Sequence, residues 1–255
     1  MITESFDGLT PAKINVPKNE NAVKVDAVIY TFSRKIEEYV AEAFACEKAG
    51  EMFMAHGSST VYTFRYHGKT FGFYRTWVGA PACVGALEEL AAILNTRKVI
   101  HFGGAGCLNK EIARGKVMVP TEAYRDEGTS YHYASASDYI PVKNAGVVAA
   151  FMEKSGVPYV PGKTWTTDAF YRETLGNFEK RKADGCISVE MEGASVQAMC
   201  DFRGLDLYMF FTSGDLLDAP EWTDRKQEGQ IEHTQHDAGH FGIALALADC
   251  VTDLE

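Results

Sequence analysis

Two glutamates flank a methionine at the end of a short apolar run, residues 186–189, that predicts a buried strand. Strand alternation sends Glu190 and Glu192 to one side and Met191 to the other. Carboxylates at the mouth of a strand can transfer protons or stabilise a developing positive charge. The same pair is also typical of an acid-rich helix N-terminus, which the helix dipole favours. The spacing alone leaves both interpretations open.

A second candidate acid follows residues 205–211, a dense apolar run typical of a strand that is buried on both faces. Asp215 and Asp218 both lie in the polar, glycine-containing stretch after it. Burial raises the pKa of such a carboxyl group and lets it act as a general acid. A turn aspartate that bonds its own backbone is an equally good interpretation.

The residues between these two points predict a helix that positions them. Its apolar side chains recur at helical spacing and predict one inward face: Met191, Ala194, Ala198, Met199 and Phe202. Strand, helix and strand then form one unit, and in a parallel sheet both strands end at the same edge. We therefore expect Glu190, Glu192 and Asp215 to line one cleft.

A glycine-rich stretch, Gly103-Gly104-Ala105-Gly106, follows a short predicted strand at residues 99–102. Its backbone amides can approach an anion or a sugar closely. The third glycine and the later acidic residue of a dinucleotide fingerprint are missing. Taken alone, the stretch therefore favours a tight turn.

Three histidines, His233, His236 and His240, share one face of the predicted last helix, residues 230–249. Zinc uses such ligands, but no second ligand cluster and no HExxH pattern accompany them. We expect a solvated or interface face here, with no metal site and no cofactor.

The composition is that of an ordinary soluble globular protein, with 46% of the 255 residues hydrophobic and 24% charged. The net charge of −10 argues against nucleic acid or an anionic membrane as partner, although a local pocket can still bind a small anion. The polar N-terminus lacks the apolar core of a signal peptide, and the six scattered cysteines form no CxxC pair. We expect reduced thiols and a cytoplasmic protein.

Strands and helices alternate along most of the chain without a Ser/Gly-rich linker. We expect a strand at residues 26–32, a helix capped by Ser33, a hairpin at residues 61–77 and a helix at residues 81–94. This order predicts an α/β protein with a single three-layer αβα domain around a central mixed, mostly parallel twisted sheet. The domain spans the whole chain, and residues 1–23 form an extended arm.

From about residue 26 to the last helix, the chain resembles the nucleoside phosphorylase family of the purine nucleoside and uridine phosphorylase type. The motifs that carry the resemblance are GAP (79–81) with LEEL (87–90), the glycine stretch, DEGTSYHY (126–133), TTDAFY (166–171) and VEMEGAS (189–195). VEMEGAS with a downstream Ser/Gly-Asp is the most specific of them. The resemblance implies a pentosyltransferase with phosphate as co-substrate, which releases a free base and ribose 1-phosphate.

On the sugar side, the resemblance implies that Glu192 holds the ribose hydroxyls, that Met191 packs against the sugar and that Glu190 is a further acid lining the pocket. The chemistry agrees, because breaking an N-glycosidic bond builds an oxocarbenium-like sugar that a nearby carboxylate stabilises. Gly103 and Gly104 are expected to contact substrate as well.

On the base side, the resemblance implies that Phe170 stacks near the base, with Thr167 beside it. Asp215 matches the acid that protonates a purine leaving group at a ring nitrogen, and Asp218 is the alternative. A leaving base needs such an acid because it otherwise departs as an anion. We therefore favour purine nucleosides over uridine.

The phosphate side departs from the family. The usual Gly-Asp-Pro-x-Arg loop is YTFSR here (30–34), so that Arg34 alone remains. The arginine before the glycine stretch is replaced by His101, and the arginine that a neighbouring subunit donates has no counterpart at residues 56–59. One guanidinium and one imidazole form a weaker phosphate site than two or three guanidiniums. Arg65 or Arg75 could supply a further guanidinium.

Three functions therefore remain open. The first is a phosphorylase with a rebuilt anion site, and the second is a nucleosidase that uses water in place of phosphate. The third is a nucleoside-binding protein without turnover, which an acid near the base argues against. Family resemblance also implies a homo-oligomer, a dimer, trimer or hexamer.

Overall fold

The computed structural model describes residues 1–17, 19–55, 57–218 and 233–254, with side chains except at residues 233–238. The helices are α1 Arg34–Ala43, α2 Ala80–Leu90, α3 Lys110–Ala113, α4 Ala145–Lys154, α5 Leu175–Ala183, α6 Gly193–Arg203 and α7 His233–Val251. The strands are β1 Val23–Lys24, β2 Ala27–Thr31, β3 Glu47–Met54, β4 Gly57–Tyr66, β5 Lys69–Arg75, β6 Leu94–Asn95, β7 Lys98–Cys107, β8 Val117–Asp126, β9 Tyr139–Pro141, β10 Tyr159–Thr167, β11 Cys186–Glu190 and β12 Asp206–Leu216. Short 3-10 turns occur at Ile2–Glu4, Thr129–His132 and Phe170–Arg172.

One large mixed sheet runs in the order β3-β4-β5-β2-β7-β12-β8-β10-β11, with β9 beside β8. At its centre β2 is parallel to β5 and β7, and β12 is parallel to β7. Strand β10 is parallel to β8 and β11, whereas β3, β4 and β5 form an antiparallel meander. The mixed central sheet confirms the predicted α/β class. Strands β1 and β6 form a separate two-stranded sheet.

One end of the sheet closes on itself. Strand β11 pairs with β7 as well as with β10, through Ser188 opposite Cys107 and Val189 opposite Gly106. Strands β7, β12, β8, β10 and β11 therefore form a closed ring. Because β12 is parallel to β7 and β11 is antiparallel to it, β11 and β12 run in opposite directions. The predicted parallel strand–helix–strand unit is wrong.

The helices pack in two groups against this sheet. Helices α2 and α6 contact each other, and α6 also contacts β12 and β8. Helix α7 contacts α1, α4, β7 and β2. Its predicted core face is confirmed, since Phe241, Ala244, Leu245 and Ala248 are all buried. In the part of the chain that the structure describes, no helix is both long enough and apolar enough to cross a membrane.

Several local predictions are confirmed. Strand β2 is buried along its whole length. The Ser33 hydroxyl accepts a hydrogen bond from the Ile36 amide at 3.3 Å and caps α1. The predicted hairpin turns at His67 and Gly68, which both have positive φ. All six cysteines are free thiols.

Other local predictions are wrong. The glycine stretch is not a turn but lies inside β7, because β12 pairs with it on one side and β11 on the other. Helix α2 ends at Leu90, four residues early, since Leu94 and Asn95 pair with β1. Strand β3 was not predicted, because its sequence EKAGEMFM shows no clear alternation and its pairing with β4 is tertiary.

The arm at residues 1–23 contacts the domain at several points, including the pairing of Val23 with Leu94. The Phe6 ring packs edge-on against Phe202, with 6.4 Å between ring centroids. The Asn19 amide donates to the Ala92 carbonyl at 2.7 Å. Most of the described arm residues are exposed.

Candidate functional site

Glu192 lies just after β11, at the N-cap position of α6, and only 6% of its surface is exposed. Its Oε1 accepts a hydrogen bond from the Gly79 amide at 2.6 Å. Gly79 has φ +100° and ψ 137°, a conformation that an L side chain rarely adopts. The GAP motif therefore holds this carboxylate through a backbone shape that requires glycine.

Glu190, the last residue of β11, is also buried, but its oxygens are occupied. Oε1 accepts from the Thr166 hydroxyl at 2.6 Å, and Oε2 accepts from the amides of Glu192 and Gly193. The Thr166 hydroxyl in turn accepts from the Ala194 amide at 3.0 Å. Glu190 therefore holds the N-terminus of α6 in place and has little capacity left to bind a sugar. These contacts make it a support for Glu192, and the role on the pocket wall that the resemblance implies stays a prediction.

The two glutamates affect each other electrostatically. Burial raises the pKa of Glu192 to about 8, and the neighbouring Glu190 carboxylate adds to the rise, whereas the Gly79 amide opposes it. Burial also raises the pKa of Glu190, while its hydrogen bonds from Thr166 and the α6 amides oppose that rise. Above that pKa Glu192 is a buried carboxylate, which interacts strongly with a positive charge that develops beside it.

The predicted base side lies after β10, whose last residues pair with β11. Thr167 is buried, and its hydroxyl accepts from the Ala169 amide at 3.2 Å. Phe170 is 50% exposed, with the Tyr171 ring 4.1 Å away between centroids. Met191 is half-buried between the two glutamates. The exposed aromatic pair is free to stack on a planar ligand, as predicted for Phe170.

The structure distinguishes the two candidate aspartates. Asp218 is bound to Lys182 at 2.9 Å and accepts from the Lys110 amide at 3.1 Å. Burial would raise the pKa of Asp218, but these hydrogen bonds lower it below its ordinary value. Asp218 is therefore a poor proton donor.

Asp215 lies in the last part of β12, not in a loop, where the register with β7 shifts between Ser213 and Leu216. It is half-buried, and its charge adds to the raised pKa of Glu173, a residue that the sequence analysis did not single out. Of the two aspartates, Asp215 is thus the better candidate for the acid.

On the predicted phosphate side, an uncharged row of side chains crosses the sheet. Tyr74, Tyr30 and His101 are neighbours in register on β5, β2 and β7, and each is completely buried. Ring centroids are 5.4 Å apart for the two tyrosines and 5.2 Å apart for Tyr30 and His101. In the described part of the chain neither hydroxyl and neither ring nitrogen makes a hydrogen bond of ordinary geometry, although Cys83 lies near the Tyr30 hydroxyl and Thr76 near the Tyr74 hydroxyl.

His101 is therefore not placed as a phosphate ligand in this conformation. Burial lowers the pKa of His101 to about 3, so that its ring is neutral at physiological pH. Phe32 lies against it at 5.8 Å between centroids. A Cβ added to Gly103 would also meet the Phe32 ring at 3.4 Å. Gly104 is exposed, and a Cβ added there would meet no described atom within 4 Å.

The arginines that could bind phosphate lie nearer the protein surface than His101. Arg34 begins α1, with 80% of its side chain exposed, and pairs with Glu38 at 2.9 Å. Arg75 ends β5 beside Thr31 and pairs with Glu37 at 2.6 Å. Arg65 bonds the Gly68 carbonyl at the hairpin turn. Arg34 and Arg75 therefore remain the candidates for an anion site at the end of β2.

Within the described residues, no group of three or more His, Cys, Asp or Glu side chains could hold a metal ion. Of the three histidines in the last helix, His240 is half-buried. The side chains of His233 and His236 lie outside the described residues.

Sequence reasoning found both glutamates but missed the groups that hold them. Thr166 was quoted within TTDAFY and Gly79 within GAP, yet neither was given a role. Only the tertiary structure joins them to residues more than twenty positions away.

Residues 27–248 match the sequence profile of the family described as the Phosphorylase superfamily. A purine nucleoside phosphorylase of the DeoD type from an Exiguobacterium species is 25% identical over 201 residues, which cover 76% of this chain and 83% of that protein. A uridine phosphorylase from Salmonella typhimurium is 29% identical over 168 residues, 59% of this chain and 66% of that protein.

The fold is also that of a solved protein. The crystal structure of a uridine phosphorylase from Vibrio fischeri matches with a TM-score of 0.71 and 24% identity, over 93% of this chain and 95% of that one. The family profile spans most of the chain and agrees with the motif resemblance. This chain belongs to the phosphorylase superfamily.

Proposed function

We propose that this protein is a nucleoside phosphorylase that cleaves the N-glycosidic bond of a purine nucleoside or uridine with phosphate. The products are the free base and ribose 1-phosphate. The observation that carries the proposal is the buried Glu192 carboxylate, held by the Gly79 amide at the end of β11 in a chain of this superfamily. Relatives named as purine nucleoside and uridine phosphorylases support the same chemistry.

In this mechanism Glu192 binds the ribose hydroxyls and stabilises the oxocarbenium-like sugar as the bond breaks. Glu190 and Thr166 fix the start of α6, so that Glu192 does not reorganise during the reaction. Met191 packs against the sugar. Preorganised charge of this kind contributes most when water is excluded, and both carboxylates are more than nine-tenths buried.

On the base side Phe170 stacks on the base, Thr167 lies beside it, and Asp215 donates a proton to the leaving base. An acid suits a purine, whose ring nitrogen accepts a proton as the bond breaks. This is the reason for preferring purine nucleosides to uridine.

Hydrolysis is the second candidate, and the uncharged row of Tyr74, Tyr30 and His101 favours it. A phosphate dianion is stabilised by guanidinium groups, whereas a buried site without charge disfavours it. A water molecule carries no net charge, so hydrogen bonds alone can hold it in the site. In the phosphorylase, Arg34 and Arg75 would have to exchange their glutamate partners for phosphate.

We further propose that the protein works as a homo-oligomer in the cytoplasm. Several large apolar side chains are exposed beside the site and on the edge strand β3, including Tyr171 (89%), Leu175 (84%) and Phe53 (70%). Apolar surface of this kind commonly marks an interface between chains.

The test is base release from inosine, guanosine, adenosine, uridine and thymidine, each with and without phosphate. Release that requires phosphate and yields a sugar 1-phosphate supports the phosphorylase. Release of free sugar without phosphate supports the nucleosidase. No release from any nucleoside contradicts both and leaves a binding role.

A further inference from the structure

Phe32 is the first residue after β2, in the stretch that the sequence resemblance assigns to phosphate. Its ring packs against the His101 ring at 5.8 Å between centroids and edge-on against the Tyr30 ring at 6.0 Å. A Cβ added to Gly103 would touch the same ring at 3.4 Å. Phe32 therefore contacts both β2 and β7 on the predicted phosphate side, although the roles above give it nothing to do.

The Phe32 ring lies between a buried imidazole and the protein surface. In the described part of the chain three rings pack against His101, which are those of Tyr30, Phe211 and Phe32. Tyr30 and Phe211 are buried, whereas Phe32 is partly exposed. Removing the Phe32 ring should therefore open a path from solvent to His101.

His101 itself has polar atoms that packing does not explain. Both ring nitrogens are buried, and neither makes a hydrogen bond within the described residues. An unpaired buried polar group costs stability, and an apolar side chain would fill the same space without that cost. A ligand explains the imidazole better. Because burial lowers the pKa of His101 to about 3, its neutral ring offers one N–H donor and one acceptor nitrogen.

The backbone on both sides of Phe32 is fixed. The Thr31 carbonyl accepts from the Thr76 amide at 2.8 Å, and the Thr31 hydroxyl accepts from the Ser33 amide at 3.1 Å. The Ser33 hydroxyl in turn caps α1 through the Ile36 amide. With the chain held on either side, a rotamer change moves the partly exposed Phe32 ring and leaves β2 and α1 in place.

We propose that Phe32 gates the phosphate site: its ring covers His101 in this conformation and swings out to admit inorganic phosphate. The inference rests on the proposed function. With the ring moved away, the imidazole N–H donates to a phosphate oxygen, and Arg34, two residues further along the chain, supplies positive charge. Phe32 then sets the affinity for phosphate, because only the open fraction of the protein binds it.

The first test measures, without turnover, whether Phe32 covers His101. Diethyl pyrocarbonate acylates accessible neutral imidazoles, and peptide mass spectrometry locates the modified histidine. In phosphate-free buffer His101 of the unchanged protein should resist the reagent, and Phe32→Ala should make it react at least about 10-fold faster. Phe44→Ala removes another half-buried ring, which packs against Phe64 at 4.8 Å, and should leave His101 protected.

The second test measures phosphate affinity with the nucleoside that the protein cleaves fastest. Phe32→Ala should lower the Michaelis constant for phosphate about 10-fold, because the site no longer has to open, and kcat should stay near that of the unchanged protein. Adding His101→Ala to this variant should abolish the gain, because the imidazole that binds phosphate is gone. Phe32→Leu should act in the same direction with a smaller effect, and it serves if the alanine variant folds poorly.

The outcomes separate this proposal from the proposed function. Equal reactivity of His101 in the unchanged protein and in Phe32→Ala overturns the gate. A Michaelis constant for phosphate that rises or stays constant in Phe32→Ala overturns it as well. Base release that does not require phosphate overturns the proposed function and the phosphate part of this proposal, while the reagent still decides whether Phe32 covers His101.

Discussion

The sugar side and the acceptor side of the site are built in opposite ways. Both carboxylate oxygens of Glu190 have partners, which are the Thr166 hydroxyl and two amides at the start of α6. Across the sheet, Tyr30 and His101 are just as buried, yet their polar atoms have no partner in the described structure. The hydrogen bonds of Glu190 are complete without a ligand, whereas those of Tyr30 and His101 are not.

The difference separates two steps of the proposed reaction. Stabilising a sugar cation requires charge that is already in position, which the hydrogen bonds around Glu190 and Glu192 supply. Binding an acceptor requires donors that can turn to a ligand. An unpartnered buried hydroxyl costs about 1–3 kcal/mol of stability, whereas a paired one does not. Variants can therefore distinguish the two sides.

The largest effect should come from Glu192→Gln. An amide cannot stabilise the sugar cation as a carboxylate does, so kcat should fall by about 10²–10³-fold. The variant should also lose the part of the pH dependence of its stability that Glu192 causes. The folded pKa of Glu192 is about 8, above its ordinary value, so the unchanged protein loses stability as pH rises from about 4.5 through 8. Thermal unfolding of both proteins at pH 5 and pH 9 checks this, and a near-normal kcat would contradict the assigned role.

Gly79→Ala should have the next largest effect. The alanine cannot easily keep φ at +100°, so the amide that holds Glu192 shifts. We expect a loss of about 1–3 kcal/mol of stability and roughly a 10–10²-fold loss of kcat/KM. Gly68→Ala, at φ +82° in a hairpin turn, is the matched control and should lose stability without losing activity. Equal kinetic losses in both variants would mean that strain, not carboxylate position, is responsible.

Arg34→Ala tests the acceptor side. If Arg34 leaves Glu38 to bind phosphate, the Michaelis constant for phosphate should rise about 10-fold, as expected for one charge-assisted contact. Arg65→Ala removes an equal charge at the hairpin and should leave that constant unchanged. An Arg34 variant with unaltered phosphate dependence would place the anion elsewhere or favour water as the acceptor.

The smallest effects are on stability, and they should have opposite signs for a variant of the sugar side and a variant of the uncharged row. Thr166→Val deletes a hydroxyl that donates to Glu190 and should cost about 1–3 kcal/mol of stability. Tyr74→Phe deletes a buried hydroxyl without a partner, so stability should rise by about 1 kcal/mol or less. Chemical denaturation of both variants measures the difference. A loss in Tyr74→Phe as large as that in Thr166→Val would show that the Tyr74 hydroxyl is bonded in solution.

Local patterns predicted the elements that depend on local physics. Ser33 caps α1, the His67-Gly68 turn forms, and α7 turns its apolar face to the core. The errors arise where a distant partner decides the outcome. Strand β3 exists because β4 pairs with it, and the glycine stretch is a strand because two neighbours bond to it. The site divides in the same way, since the VEMEGAS motif revealed its glutamates but the contacts of Thr166 and Gly79 with them are tertiary.

The closed ring also has a consequence for how the protein folds. The pairing of β11 with β7 joins segments that are far apart in the chain, and both glutamates of the sugar side directly follow or end β11. Contacts between distant segments form late, because a long loop must close before they contribute. The sugar side should therefore assemble among the last events of folding. A chain that has formed only the β2–β5 half would show native-like secondary structure but no catalytic carboxylate in place.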